Sequence, residues 1–275
     1  MWQSIAPILY ALFVWWFGTG LVLLLDGLPR RWLVPSLIGS TAVAGAALVT
    51  LALVADQTSV GAAYLAFTCG VLVWAWMELS FLTGALTGPR RQGCVPGCGG
   101  VKHFGHAVAA IAYHELAIAV GGAAVLFATW DEPNQVGLWT YVVLWVMRQS
   151  AKLNLHFGVR NLSEEFLPPR LRYMTSYFRR RPLNLLFPLS VTAATVVAVL
   201  LVAEIAGTRT SAFDVAGLTL VTTLLVLAIL EHWLLVLPLP TTALWRWSLR
   251  GAQATREDGD GPAGSLRSAA GHGDG

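Results

Sequence analysis

Seven separate stretches of twenty or more mostly apolar residues dominate this 275-residue chain, at about 4–25, 32–55, 61–83, 103–129, 136–157, 184–206 and 212–237. A helix rises about 1.5 Å per residue, so roughly 20 apolar residues cross about 30 Å of hydrocarbon. A backbone in lipid must satisfy its own polar groups, and runs of this length do so as helices. Composition agrees, with 56% of residues hydrophobic and 12% charged, against about 25% charged in soluble domains. An ordinary soluble enzyme and a disordered chain are excluded, and three cysteines are too few for a disulfide scaffold. A net charge of +3 is too small to point to nucleic acid. The first stretch reads as a retained helix, since no basic residue precedes its long, Trp-rich run. The expected fold is all-α: a polytopic membrane protein with seven transmembrane helices over residues 1–247, then a disordered cytoplasmic tail over 248–275.

The basic residues are segregated. Arg30, Arg31, Arg90, Arg91, Lys102, Arg160, Arg170, Arg172, Arg179, Arg180, Arg181, Arg246, Arg250, Arg256 and Arg267 fall on one side of the seven stretches, and Arg209 alone on the other. By the positive-inside rule this predicts an outside N-terminus and a cytoplasmic C-terminus. The longest cytoplasmic connection, 157–184, opens with Asn161 and Glu164 at capping-box spacing, and Pro168 and Pro169 end that turn. Leu171, Met174 and Phe178 then recur at helical spacing among Arg170, Arg172, Arg179, Arg180 and Arg181. The segment reads either as an interfacial element against anionic lipid or an acidic partner, or as a solvated connector. Trp245 and Trp247 flank Arg246 in the pattern of an interfacial anchor.

Ionisable groups inside the spans ask for partners, because each costs about 2.5–3.5 kcal/mol on insertion scales. Glu78 lies in the third span, His106, His114 and Glu115 in the fourth, Arg148, Lys152, Asn154 and His156 in the fifth, and Glu231 and His232 in the seventh. Under the predicted topology all fall in the cytoplasmic half. Arg148, Lys152 and His156 are four residues apart and make one stripe. A polar cluster between these four spans is expected, with His114, His106, His232, Glu78, Glu115, Glu231, Lys152 and Asn154 as candidate cofactor contacts. It could be structural, with the glutamates pairing with Arg148 and Lys152. It could ligate iron or magnesium of a tetrapyrrole through imidazole. It could hold a metal between carboxylates and histidines, although no paired Glu-x-x-His motif is present, or it could form a proton pathway. Adjacent residues such as His114 and Glu115, or Glu231 and His232, point about 100° apart and cannot both face one small ligand. Cys94 and Cys98, followed by Lys102, His103 and His106, could hold zinc, yet their spacing departs from the usual two-residue knuckle, and the favoured expectation is a flexible Gly-rich loop with incidental thiols.

The stretch Arg148-Gln149-Ser150-Ala151-Lys152-Leu153-Asn154-Leu155, running on through Gly158-Val159-Arg160-Asn161-Leu162-Ser163-Glu164-Glu165-Phe166-Leu167-Pro168, resembles the PuhE family of photosynthetic-complex assembly proteins of purple bacteria. Tyr177-Phe178-Arg179-Arg180-Arg181-Pro182, His114-Glu115-Leu116 and Leu230-Glu231-His232-Trp233 are also similar to that family, and the resemblance runs to about Trp247. It implies a multi-pass protein of the bacterial inner, intracytoplasmic membrane. The implied role is an accessory factor for assembly of the reaction centre and light-harvesting complex that modulates bacteriochlorophyll supply. Implied partners are the subunits of those complexes and pigment-biosynthesis enzymes. The resemblance carries no catalytic residues. The alternative is an intramembrane metal- or tetrapyrrole-binding enzyme of bacteriochlorophyll metabolism. The cofactor stays open: a bacteriochlorophyll or other tetrapyrrole bound transiently under the assembly reading, a metal or a tetrapyrrole under the enzyme reading.

Overall fold

A computed structural model describes residues 2–95, 97–162, 164–207, 211–237 and Trp245. Arg209, Arg246, Trp247, Arg250, Arg256, Arg267 and the tail 248–275 lie outside the described residues. Among the described residues, seven α-helices run in chain order: α1 Trp2–Gly27, α2 Arg30–Val54, α3 Val60–Leu82, α4 Gly100–Ala128, α5 Val136–Phe157, α6 Leu186–Ile205 and α7 Ala212–Leu234. Six are long and apolar enough to cross a membrane. The exception is α5, whose last three turns carry Arg148, Gln149, Lys152, Asn154 and His156. Among the described residues there is no strand beyond one isolated bridge between Val159 and Arg180. The chain is a multi-pass helical membrane protein.

Helices α3 and α7 form the centre. Half or more of each apolar segment is buried, while α1, α2, α4 and α6 turn most of their surface outward. Small residues explain why α3 can sit there: Ala62, Ala63, Ala66 and Gly70 face its neighbours, which lets backbones approach closely. A Cβ on Gly70 would lie 2.8 Å from the Gly137 carbonyl of α5, and one on Gly137 would lie 2.4 Å from Leu51 of α2. At this end Asn134 is fully buried, donating to the carbonyls of Val54 at 3.1 Å and Ala62 at 3.3 Å and so tying the α4–α5 turn to the α2–α3 turn.

The opposite end carries a cap. The 29 residues of α4 measure about 43 Å, longer than the hydrocarbon core, and its first turns project past the end of α3. Between them, residues 83–92 fold back into the bundle along α4. His114 N–H donates to Thr87 O at 2.9 Å, and Arg90 N–H to Ala109 O at 3.3 Å. Gly88 permits this approach, since a Cβ there would sit 2.1 Å from Ala109 O.

The basic connection closes over this end as 3-10 turns at Glu164–Phe166 and Pro169–Tyr177. Its apolar side chains differ from expectation. Leu171 and Met174 are buried against Phe81 and Leu82, not turned to lipid, because the exposed ends of α3 and α4 offer them an apolar seat. Asn161 does not cap the Glu164 turn. Its side-chain amide donates to the carbonyls of Leu234 and Leu237 and finishes α7 instead. Trp245, expected as an interfacial anchor, is buried edge-on against Trp15 at 5.5 Å and donates to Trp16 O at 3.2 Å.

Candidate functional site

Near the capped end the polar stripe of α5 meets carboxylates from its neighbours. Arg148 Nη2 lies 2.7 Å from Glu78 Oε2 on α3, and Lys152 Nζ lies 2.6 Å from Glu115 Oε1 on α4. Glu115 Oε2 also accepts from Gln149 Nε2 at 2.6 Å. Each cation therefore sits against one carboxylate on a different helix, and the pairs cancel in charge. Removing one member would strand the other, at up to about 3–5 kcal/mol where a pair is buried and less for Arg148, whose side chain is 39% exposed.

The remaining candidates separate. Glu231 turns to the α1–α7 seam, where Trp15 Nε1 donates to it at 2.7 Å. Its neighbour His232 points inward, as the 100° step requires. His232 Nδ1 lies 2.8 Å from Ala228 O, which assigns its proton there, and Nε2 accepts from Ser150 Oγ at 2.8 Å. Both its nitrogens are thus engaged. Asn154 bonds Ser150 O at 2.9 Å and receives Asn184 Nδ2 at 3.0 Å. Asn184 in turn caps α6 through Leu186 N–H at 2.9 Å. His156 stacks on His103 at 5.3 Å.

His114 is fully enclosed, with its ring 4.5 Å from Phe81. Neither of its ring nitrogens has a hydrogen-bond partner among the described residues. His106 does not join it. It lies near the start of α4, 3.4 Å from Cys94 Sγ and 3.5 Å from Cys98 Sγ.

Of the five arginines, Arg170 faces inward. It pairs with the buried Asp26 at the end of α1, and its Nε donates to Leu82 O at 2.8 Å. Arg172, Arg180 and Arg181 are exposed, while Arg179 is half-buried with its N–H on Leu155 O. Sequence reasoning missed Asp26, one residue past an apolar stretch, and set zinc at Cys94, Cys98 and His106 below a loop with incidental thiols. The first had a signal, a lone acid at a span end. The second depends on how the loop folds.

Elsewhere, a groove of about 660 Å³ opens between α5, α6 and α7, lined by Val143, Met147, Ala194 and Leu225, with Ser150 among its few polar groups. Its chemistry suits a hydrocarbon chain. It does not include His114.

A protein of Rhodobacter capsulatus, described as an uncharacterized 30.4 kDa protein in the puhA 5′ region, is 36% identical over 253 residues, covering 90% of this chain and 92% of that protein. No solved structure matches the chain. A family described as a protein of unknown function, DUF3623, matches residues 1–256. The chain belongs to the DUF3623 family.

Proposed function

We propose that this protein is an accessory factor for assembly of the bacterial photosynthetic reaction centre and light-harvesting complex, a member of the PuhE group, seated in the inner, intracytoplasmic membrane. The observation that carries this reading is the 36% identity, over nearly the whole of both chains, to the protein of the puhA 5′ region. All seven helices span, with the N-terminus outside and the capped end cytoplasmic. The charge split supports that orientation, and the carboxylates facing Arg148 and Lys152 allow α5 to cross without being apolar itself. The exposed Arg172, Arg180 and Arg181 contact anionic lipid or an acidic client subunit. Deleting the gene in its photosynthetic host tests the function. Near-infrared absorption of assembled complexes per membrane protein should fall and recover when the chain is resupplied. Unchanged complexes and unchanged pigment would overturn it.

One observation favours a second role within the same reading. His114 is a buried imidazole with no partner at either nitrogen, and metal ligation would satisfy one of them. Residues 83–92 would have to lift to admit a tetrapyrrole, and of the other candidates His106 and Glu231 face elsewhere. Protein purified from cells making bacteriochlorophyll should then carry pigment, and His114→Ala should lose it at normal membrane abundance. Pigment-free wild type, or equal loss of abundance in the variant, refutes this role.

A further inference from the structure

We infer that Cys94, Cys98 and His106 form a zinc site at the projecting end of α4, separate from the intramembrane cluster and independent of the assembly reading. The two Sγ atoms and His106 Nδ1 lie within 4.8 Å of one another, with the sulfurs 3.4 and 3.5 Å from the nitrogen. In a tetrahedral site with Zn–S about 2.3 Å and Zn–N about 2.05 Å, the sulfur–nitrogen edge comes to about 3.6 Å. The ligand atoms already stand near the corners such an ion requires.

Hydrogen bonding accounts for the arrangement only in part. An imidazole nitrogen has one in-plane lone pair, so Nδ1 can accept from one thiol, which leaves the other only the weak bond between the two sulfurs. A cation between the three engages all of them. Two thiolates and a neutral imidazole cancel a divalent charge, and mixed sulfur and nitrogen donors suit zinc over magnesium or calcium. All three side chains are partly exposed, so a fourth position faces solvent and can take water or a partner's ligand.

The loop is built to hold this geometry. Cys98 N–H donates to Val95 O at 3.1 Å, closing a turn in which Gly97 adopts a φ of 81°, which a side chain would resist. Cys94 N–H donates to Ser176 Oγ at 2.9 Å, pinning the loop to the 3-10 cap. Arg90 donates to Gly93 O at 3.1 Å and to Tyr177 OH at 2.8 Å. An ion here would clamp the end of the folded-back segment to α4.

The test uses the full chain in detergent, reduced and then titrated with Zn²⁺ and with Co²⁺ as a coloured substitute. One equivalent should bind, with thiolate-to-cobalt charge-transfer absorption and the strong visible bands of a tetrahedral ion. Cys94→Ser, Cys98→Ser and His106→Ala should each weaken binding by more than the roughly 10–100-fold that loss of an outer-shell partner costs, and Ser176→Ala should fall within that range. Cys69→Ala, in the buried core, should bind as the wild type does. No binding by reduced wild-type protein overturns the site, as does full binding by His106→Ala and Cys98→Ser together.

Discussion

Arg170→Gln isolates the tie between the basic connection and the bundle. In the structure the guanidinium joins the Asp26 carboxylate, whose side chain is only 8% exposed against 30% for Arg170, and reaches the Leu82 carbonyl at the end of α3. Breaking a buried pair by removing one partner costs about 3–5 kcal/mol. The partial exposure of Arg170 places the expected loss at the lower end, about 3 kcal/mol. For a chain near this size, roughly 2–4 °C of Tm accompanies each kcal/mol, which gives a fall of about 6–12 °C. Twelve tryptophans allow the transition to be followed by intrinsic fluorescence in detergent. Arg180→Gln is the matched control. Its contact with Glu164 is 3.5 Å long and 72% and 44% exposed, so it should move stability by less than about 1 kcal/mol. Asp26→Asn combined with Arg170→Gln should be less damaging than the two single losses added together, since they share one interaction. Equal Tm shifts for Arg170→Gln and Arg180→Gln would refute the reasoning.

Other positions give independent tests. Glu115→Lys should reduce the membrane abundance of the chain sharply, and adding Lys152→Glu should restore most of it; immunoblots in which the double variant fares no better than the singles would remove the ion pair's role. Asn134→Ala deletes two side-chain bonds to buried carbonyls and should cost about 2 kcal/mol, read as a lower Tm, whereas a shift under 1 °C would mean the turns hold together without it. Gly88→Ala cannot keep residues 83–92 against α4, so trypsin should cut after Arg90 or Arg91 faster than in the wild type, and an unchanged digestion rate would contradict the folded-back path.

The helices were legible because apolar length is a coarse signal that survives without knowledge of neighbours. The stretch expected at 136–157 is α5, and that at 212–237 begins where Ser211 and Asp214 form a capping box. Spacing on α5 also indicated that Arg148 and Lys152 share a face, but which glutamate meets which cation depends on helix rotation and offset. His106 and His114, eight residues apart on α4, read as companions. They part because α4 extends beyond α3, leaving His106 among the loop cysteines while His114 lies under Phe81. Leu171 and Met174 look like a lipid-facing stripe until the ends of α3 and α4 are in view. Zinc at Cys94 and Cys98 ranked below incidental thiols for the same reason, since three intervening residues say nothing of the turn at Gly97 or the anchor at Ser176.

The polar α5 carries a consequence for how the chain is made. Presented alone to the insertion machinery, two cations would add about 5–7 kcal/mol, enough for a segment of this length to remain in water. Their carboxylate partners stand on α3 and α4, both upstream, so in the seven-span arrangement Glu78 and Glu115 are already waiting when α5 leaves the ribosome. Order along the gene thus becomes order of entry into the bilayer: a fifth helix severed from the third and fourth should stall at the surface, while the same helix following them is drawn in by charges that its predecessors have carried ahead of it.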